Sequence, residues 1–256
     1  MQRLFDTIRT GLLCGAALVA ISGAGYAADM SMKDMQDEGR KLGVSFTLAG
    51  TTDYVFRGVS QSDEKPTVQM SLDLTYGIFY AGVWGSGIDF DDIPPHSNVE
   101  IDFYAGIKPS AGGFDFDFGL IYYHYPRADD GGAELDYIEF KAAVSKSVFE
   151  TLTLGAAVYY SPEYTGETGE AWTVEASFSK VLPKIWDFEF TLSGLIGYNE
   201  ADELEGYTYW NIGLTKTYKN FAFDIRYHDT DIDGCGGATV FQCDERVVGT
   251  VKVTID

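Results

Sequence analysis

The stretch TVQMSLDLTY, Thr67 to Tyr76, alternates strictly between polar and apolar residues. Successive side chains of a β-strand point to opposite faces, so one face of this stretch is apolar and the other is polar. The stretch NVEIDFYAGIK, Asn98 to Lys108, repeats the pattern. Both stretches predict strands rather than helices, and each is long enough to cross a bilayer when tilted.

The same period of two continues along the chain and predicts twelve strands, over residues 44–59, 67–77, 79–90, 98–109, 114–126, 134–146, 152–161, 170–182, 187–199, 207–218, 220–231 and 244–255. The connections alternate in length. Short turns are expected at residues 77–78, 110–113, 147–151, 183–186 and 219, and longer, mostly acidic loops at 61–66, 91–97, 127–133, 162–169, 200–206 and 232–243. Short turns at one end and long loops at the other are typical of outer-membrane β-barrels.

A soluble β-sandwich also has short alternating strands, so alternation alone does not separate the two folds. An uninterrupted meander of hairpins and aromatic residues near the strand ends favour the membrane barrel. The aromatic residues expected at the short-turn end are Phe79, Phe114, Trp186, Phe188, Tyr218 and Phe221, and those at the long-loop end are Phe56, Phe90, Tyr122, Tyr160, Trp172, Tyr198 and Tyr227. The predicted fold is all-β, an antiparallel up-and-down transmembrane barrel of about twelve strands.

The N-terminus has the order of a secretory signal peptide, with basic residues, an apolar run and small residues. We expect residues 1–28 to be this signal, residues 29–42 to form a short polar segment, and residues 43–256 to form the barrel. Cys14 lies inside the apolar run of the signal. The remaining cysteines, Cys235 and Cys243, predict a disulfide in an oxidising compartment, worth about 2.5 kcal/mol by chain entropy.

The 256 residues include 18 Lys and Arg against 39 Asp and Glu, a formal net charge of -21. A surface this acidic repels phosphates, so nucleic acid is not an expected partner. With 45% hydrophobic and 15% aromatic residues, the composition also excludes a disordered chain.

The first predicted strand ends in a distinctive motif, TDYVFRGVSQ from Thr52 to Gln61, followed by Lys65, Pro66 and Gln69. Together with the stretches YAGVWGSGIDF (residues 80–90) and EIDFYAG (residues 100–106), this motif resembles the TorF family of candidate porins, which are conserved hypothetical proteins of proteobacteria. The resemblance is most specific over residues 44–107. It implies an outer-membrane barrel, with substrates that are essentially unassigned. Many such barrels end in an aromatic residue, whereas this chain ends in Asp256.

In the alternation of the first strand, Tyr54 and Phe56 are expected to face lipid while Asp53 and Arg57 face the lumen. Asp53 and Arg57 are expected either to form an ion pair within the wall or to line a constriction. Charged residues in the lumen-facing phase are the pore-lining candidates: Asp53, Arg57, Asp73, Glu100, Asp102, Lys108, Asp115, Asp117, Glu139, Lys141, Glu175, Glu189, Asp224 and Arg226. Their acidic surplus predicts a narrow diffusion channel for small solutes that prefers cations.

Two other functions stay open on the sequence. A closed barrel with a structural or adhesive role differs from a porin only in whether its lumen is filled. An outer-membrane hydrolase would need a site around His228, the lumen-phase histidine, yet nucleophile elbows, phosphate loops and metal-ligand spacings are absent from the sequence. No cofactor or catalytic residue is expected. Residues 229–234 begin like a calcium loop, but Val240 stands where the closing acid belongs. The expected partners are outer-membrane lipid and small solutes or cations; the sequence does not determine the oligomeric state.

Overall fold

The computed structural model describes residues 41–90, 97–126, 128, 134–184, 188–233, 235 and 242–256. Its strands follow in the order β1 (Leu42–Thr51), β2 (Val55–Phe56), β3 (Val59–Ser60), β4 (Thr67–Tyr76), β5 (Phe79–Gly87), β6 (Val99–Ile107), β7 (Ser110–Ala111), β8 (Phe114–His124), β9 (Tyr137–Phe149), β10 (Leu152–Ser161), β11 (Ala171–Val181), β12 (Thr191–Ala201), β13 (Leu204–Tyr218), β14 (Phe221–Thr230) and β15 (Arg246–Ile255). A short 3-10 turn, Thr165–Glu167, interrupts the loop after β10.

Twelve long strands, all except β2, β3 and β7, form one closed antiparallel wall. Each wall strand pairs with the next along the chain, and β6 pairs directly with β8. The first and last strands, β1 and β15, pair from Phe46 with Ile255 to Thr51 with Thr250. This last pairing closes the sheet, so the predicted up-and-down barrel of twelve strands is confirmed.

The two faces of the wall have opposite chemistry. On β4, Gln69, Ser71 and Asp73 are buried inside the barrel, while Val68 and Met70 on the other face are 55% and 50% exposed. The interior also contains large buried tyrosines, among them Tyr104, Tyr123, Tyr137, Tyr159 and Tyr209. A soluble sandwich would bury the apolar face instead, so this arrangement fits a wall that faces lipid outward.

The boundaries of most wall strands lie close to the prediction, with three clear exceptions. The first strand was expected over residues 44–59 but ends at Thr51. The expected long loop at residues 200–206 is a two-residue turn, Asp202 and Glu203, because β12 and β13 extend toward each other as a hairpin. The ninth predicted strand, 187–199, is displaced to Thr191–Ala201.

Most of the expected aromatic residues at the strand ends lie on the outer face. Phe79, Phe114, Phe188, Tyr218 and Phe221 are exposed at the short-turn end, and Tyr122, Trp172 and Tyr198 at the other. Phe56 and Phe90 are exceptions, because both pack against the buried cluster inside the barrel. Trp186 lies outside the described residues.

The predicted signal peptide and nearly all of the polar segment at 29–42 also lie outside the described residues, although Leu42 already belongs to β1. Within the described part of the chain, no helix is long and apolar enough to cross a membrane.

Candidate functional site

The connection between β1 and β4 folds into the barrel. Its two short strands, β2 and β3, pair Val55 with Ser60 and Phe56 with Val59, which leaves Arg57 and Gly58 as a two-residue turn. Both turn residues have positive φ angles, 47° and 83°, as the tightest β-hairpins require. We call residues 55–60 the inner hairpin.

The inner hairpin crosses the lumen from one side of the wall to the other. It starts between β1 and β4, yet the Arg57 guanidinium donates to Glu139 Oε1 on β9 at 2.6 Å and to Asn199 Oδ1 on β12 at 3.3 Å. It also donates to the Tyr164 hydroxyl, in the loop after β10, at 3.3 Å. Since β10 lies opposite β1 in the twelve-stranded ring, these contacts place the Arg57 side chain against the far wall.

Gly58 lies tightly against the wall strands β13 and β14. A Cβ atom at this position would collide with side-chain atoms of Thr230 on β14 and Tyr209 on β13. A glycine is therefore needed both for the positive φ and for the close approach.

The hairpin's near end is held by aromatic and hydrogen-bonded contacts. The Tyr54 hydroxyl donates to Glu100 Oε1 on β6 at 2.8 Å, and the Tyr54 ring packs on Trp84 with centroids 5.3 Å apart. The Phe56 ring packs edge-on against Tyr123, 6.0 Å between centroids. Tyr54 and Phe56 were expected to face lipid, and that prediction is wrong because the chain turns inward after Thr51.

Asp53 fixes the inward turn. Its Oδ1 accepts hydrogen bonds from the hydroxyls of Ser60 and Ser62 at 2.6 and 2.9 Å, and its Oδ2 pairs with Arg246 on β15 at 3.0 Å. One of the two expectations was an ion pair between Asp53 and Arg57. The structure does not show that pair. Each pairs with a different strand of the wall.

The last long loop also touches the inner hairpin. The Ser60 backbone N–H donates to the Gln242 carbonyl oxygen at 2.8 Å, and the Thr230 hydroxyl donates to the Cys243 carbonyl oxygen. The structure joins Cys235 and Cys243 by a disulfide. The disulfide thus anchors Cys243, which directly follows the Gln242 that contacts the inner hairpin.

The remaining pore-lining candidates are distributed along the inner wall. Most are buried or half-buried in the interior: Asp73, Glu100, Asp102, Asp117, Glu139, Lys141, Glu175, Asp224 and Arg226. Lys108 follows β6 at the short-turn end and lies over the Tyr80 ring, and Asp115 accepts from the nearby Ser110 hydroxyl. Glu189 is exposed and precedes β12, so the structure places it outside the wall strands.

Several interior charges are paired, either between neighbouring strands or within one strand. Lys141 Nζ lies 2.7 Å from Asp117 Oδ2, and Arg226 pairs with Asp224 at 3.1 Å. The Arg226 guanidinium also donates to Asn211 and Ser193, both at 2.8 Å. These bonds link β8 to β9 and β12 to β14, so part of the interior charge is neutralised within the wall.

The acidic residues on β6 beside the hairpin, Glu100 and Asp102, are not paired with a Lys or Arg among the described residues. Asp102 is fully buried, and neither of its carboxylate oxygens has a hydrogen-bond partner among the described residues. The carboxylates whose charges act on it are those of Glu100 and Glu139. Glu139 is paired with Arg57, whereas the hydrogen-bond donors to Glu100 are the neutral hydroxyls of Tyr54 and Tyr125.

A family model described as "Bacterial protein of unknown function (Gcw_chp)" matches residues 37–255. The chain belongs to the Gcw_chp family. This match does not carry the TorF name, so the TorF resemblance stays a prediction. No curated protein matches the sequence.

Two solved structures are similar to this Gcw_chp chain in fold. One is "KdgM porin in complex with disordered oligogalacturonate", with a TM-score of 0.56 and 8% identity over 83% of this chain and 99% of that one. The other is the NanC porin in a rhombohedral crystal form, with a TM-score of 0.53 and 10% identity over 82% and 99%. At such identities the likeness shows the fold alone.

Some residues of this Gcw_chp site were not predicted from the sequence. Asn199 lies in the lumen phase of its strand but carries no charge, and Tyr164 lies in a loop without periodicity. Burial raises the pKa of the Tyr164 hydroxyl, and the nearby Arg57 guanidinium opposes that rise. Their contacts with Arg57 join residues more than 100 positions apart, which local patterns do not encode.

The histidines give no catalytic arrangement in the described part of the chain. His228 is buried on β14 opposite Arg246, and His96 lies outside the described residues. His124 Nδ1 lies 2.6 Å from Asp136 at the long-loop end. Burial raises the pKa of Asp136, but hydrogen bonds from Tyr122, the Tyr125 backbone and His124 outweigh burial and keep that pKa below its usual range. Groups of three or more His, Cys, Asp or Glu side chains able to hold a metal ion do not occur among the described residues.

Proposed function

We propose that this protein is an outer-membrane porin, a narrow diffusion channel for small solutes that prefers cations. The observation that carries the proposal is the inner hairpin, which crosses a polar lumen and leaves the carboxylates of Glu100 and Asp102 beside it without a cationic partner among the described residues. Acidic side chains beside a constriction favour the passage of cations over that of anions.

The outer surface supports the membrane location. Apolar side chains such as Leu72 and Phe103 point outward from the middle of their strands, and aromatic side chains lie near the strand ends. Such an apolar band flanked by aromatic girdles matches the hydrocarbon core and its interfaces. The fold-level likeness to two proteins titled as porins agrees with this location and function.

The test is single-channel recording of the protein purified from membranes after export, in a planar bilayer under a KCl gradient. We expect discrete steps smaller than those of sixteen-stranded porins, because a hairpin occupies the lumen. The reversal potential is expected to have the sign for cation preference. A shift of the folded band on heating, seen by electrophoresis, serves as the control that the sample holds a folded barrel. Reversal on the anion side would overturn the cation preference.

A closed barrel with a structural or adhesive role is the second candidate. The observation that favours it is the filling of the interior by the inner hairpin and by buried tyrosines, including the stacked pair Tyr123 and Tyr137 with centroids 4.2 Å apart. Folded, heat-modifiable protein that gives no steps at any voltage would support this candidate and contradict the porin.

A further inference from the structure

Asp102 differs from the other acidic residues around the inner hairpin. Asp53, Asp117, Glu139 and Asp224 each have a Lys or Arg partner. Asp102 is 0% exposed, and in the described residues neither of its oxygens receives a hydrogen bond. An ionised carboxylate in such a place is strongly unfavourable unless another charge compensates it.

The polar groups whose electrostatic influence Asp102 shares are those of Tyr54 before the inner hairpin, Glu100 and Tyr104 on β6, Tyr123 and Tyr125 on the β8 side, and Glu139 on β9. The guanidinium of Arg57 lies 2.6 Å from Glu139, one of these residues. The direct neighbours of Asp102 across the sheet are Trp84 on β5 and Tyr123 on β8. The surroundings therefore supply carboxylate and phenol oxygens, and the described residues supply no cation to Asp102 itself.

We propose that Asp102 and Glu100 bind a small monovalent cation, Na⁺ or K⁺, beneath the inner hairpin, and that this site sets the cation preference. This inference rests on the proposed function and identifies the residues responsible for the cation preference. The two residues are two apart on β6 and so share its inner face. Oxygen donors suit hard cations such as these. A divalent metal is not favoured, because the described residues lack a third acid or histidine in ligating position.

The first test measures binding without any need for conduction. The melting temperature of the detergent-solubilised barrel is compared in NaCl, KCl and N-methyl-D-glucamine chloride at equal ionic strength. Because a ligand that binds only the folded state stabilises it, we expect a higher melting temperature in NaCl or KCl. Asp102→Asn keeps the side-chain shape and removes the charge, and it is expected to abolish that difference.

Glu150→Gln is the matched control. It removes the same unit of charge from the short turn between β9 and β10, where the side chain is exposed and outside the set of pore-lining candidates. It should keep the full salt-dependent difference. Glu100→Gln is the second variant at the site, and we expect its half-saturating Na⁺ concentration to rise about tenfold, the equivalent of about 1.4 kcal/mol.

The second test separates this inference from the porin proposal. In planar bilayers, Asp102→Asn is expected to shift the reversal potential toward zero while Glu150→Gln leaves it unchanged. A cation-preferring channel with an unchanged reversal potential in Asp102→Asn would overturn the inference and leave the porin standing. Equal melting temperatures of the native protein in all three salts would also overturn it. Salt-dependent melting in a barrel that never conducts would support the site and contradict the porin.

Discussion

At the residue scale, Arg57 is the residue that ties the inner hairpin to the opposite strands of the wall. It adopts a left-handed backbone conformation, φ 47°, which costs a non-glycine residue about 1 kcal/mol. Its 2.6 Å pair with Glu139 joins two side chains that are each 2% exposed. Removing one partner of such a pair leaves the other charge buried alone, at a cost of about 3 kcal/mol. We therefore expect Arg57→Ala to lower the free energy of unfolding by up to about this amount and to raise single-channel conductance.

The matched variants are Glu139→Gln and the double substitution. If the pair is coupled, Glu139→Gln in the Arg57→Ala background should recover part of the lost stability, with an interaction energy of about 0.5–3 kcal/mol in urea unfolding. Strictly additive losses would contradict the coupling. An unchanged conductance in Arg57→Ala would contradict the position of the hairpin tip.

At the element scale, the wall strands were predictable and the inner hairpin was not. Strands β4 and β10 lie within one residue of their predicted ranges, because burial on one face makes the period of two visible locally. Residues 53–57 continue that period, so they were assigned to the wall. Their true position depends on contacts such as Arg57 with Glu139, 82 residues away, which periodicity does not carry. The local signal for the turn was Arg57-Gly58 between Phe56 and Val59.

The disulfide loop allows a test of how that hairpin is held in place. Its neighbours Gln242 and Arg246 contact Ser60 and Asp53, so opening the Cys235–Cys243 bond should loosen the hairpin. By chain entropy the loss of stability is about 2.5 kcal/mol. We expect reduction with dithiothreitol to expose the bond after Arg57 to trypsin. The double variant Cys235→Ser, Cys243→Ser should be cleaved with or without reductant, and equal resistance of the oxidised and reduced native protein would refute the idea.

At the scale of the whole molecule, the apolar and polar faces decide between a barrel and a sandwich, and alternation does not say which face is inside. The closure of the wall through β1 and β15, and the inward path of the first loop, bury polar residues and expose apolar ones. The candidate site follows from the same arrangement, in which polar residues lie inside the barrel and apolar residues lie outside. Charged positions such as Glu100 and Asp102 were predictable because they occupy the polar phase of the alternation, whereas their partners across the lumen follow only from the closed shape.

The outward apolar face leads to a prediction about the cost of placing a charge against lipid. Phe103 lies near the middle of β6 and is 49% exposed, while its neighbour Asp102 is fully buried on the inner face. Placing an arginine on a lipid-facing midplane position costs about 2–4 kcal/mol, so Phe103→Arg should lower the free energy of unfolding from lipid vesicles by that amount. Phe103→Leu keeps an apolar side chain there and should cost much less. Equal losses for the two variants would mean that this face meets water rather than lipid, since a charge exposed to water carries no such penalty.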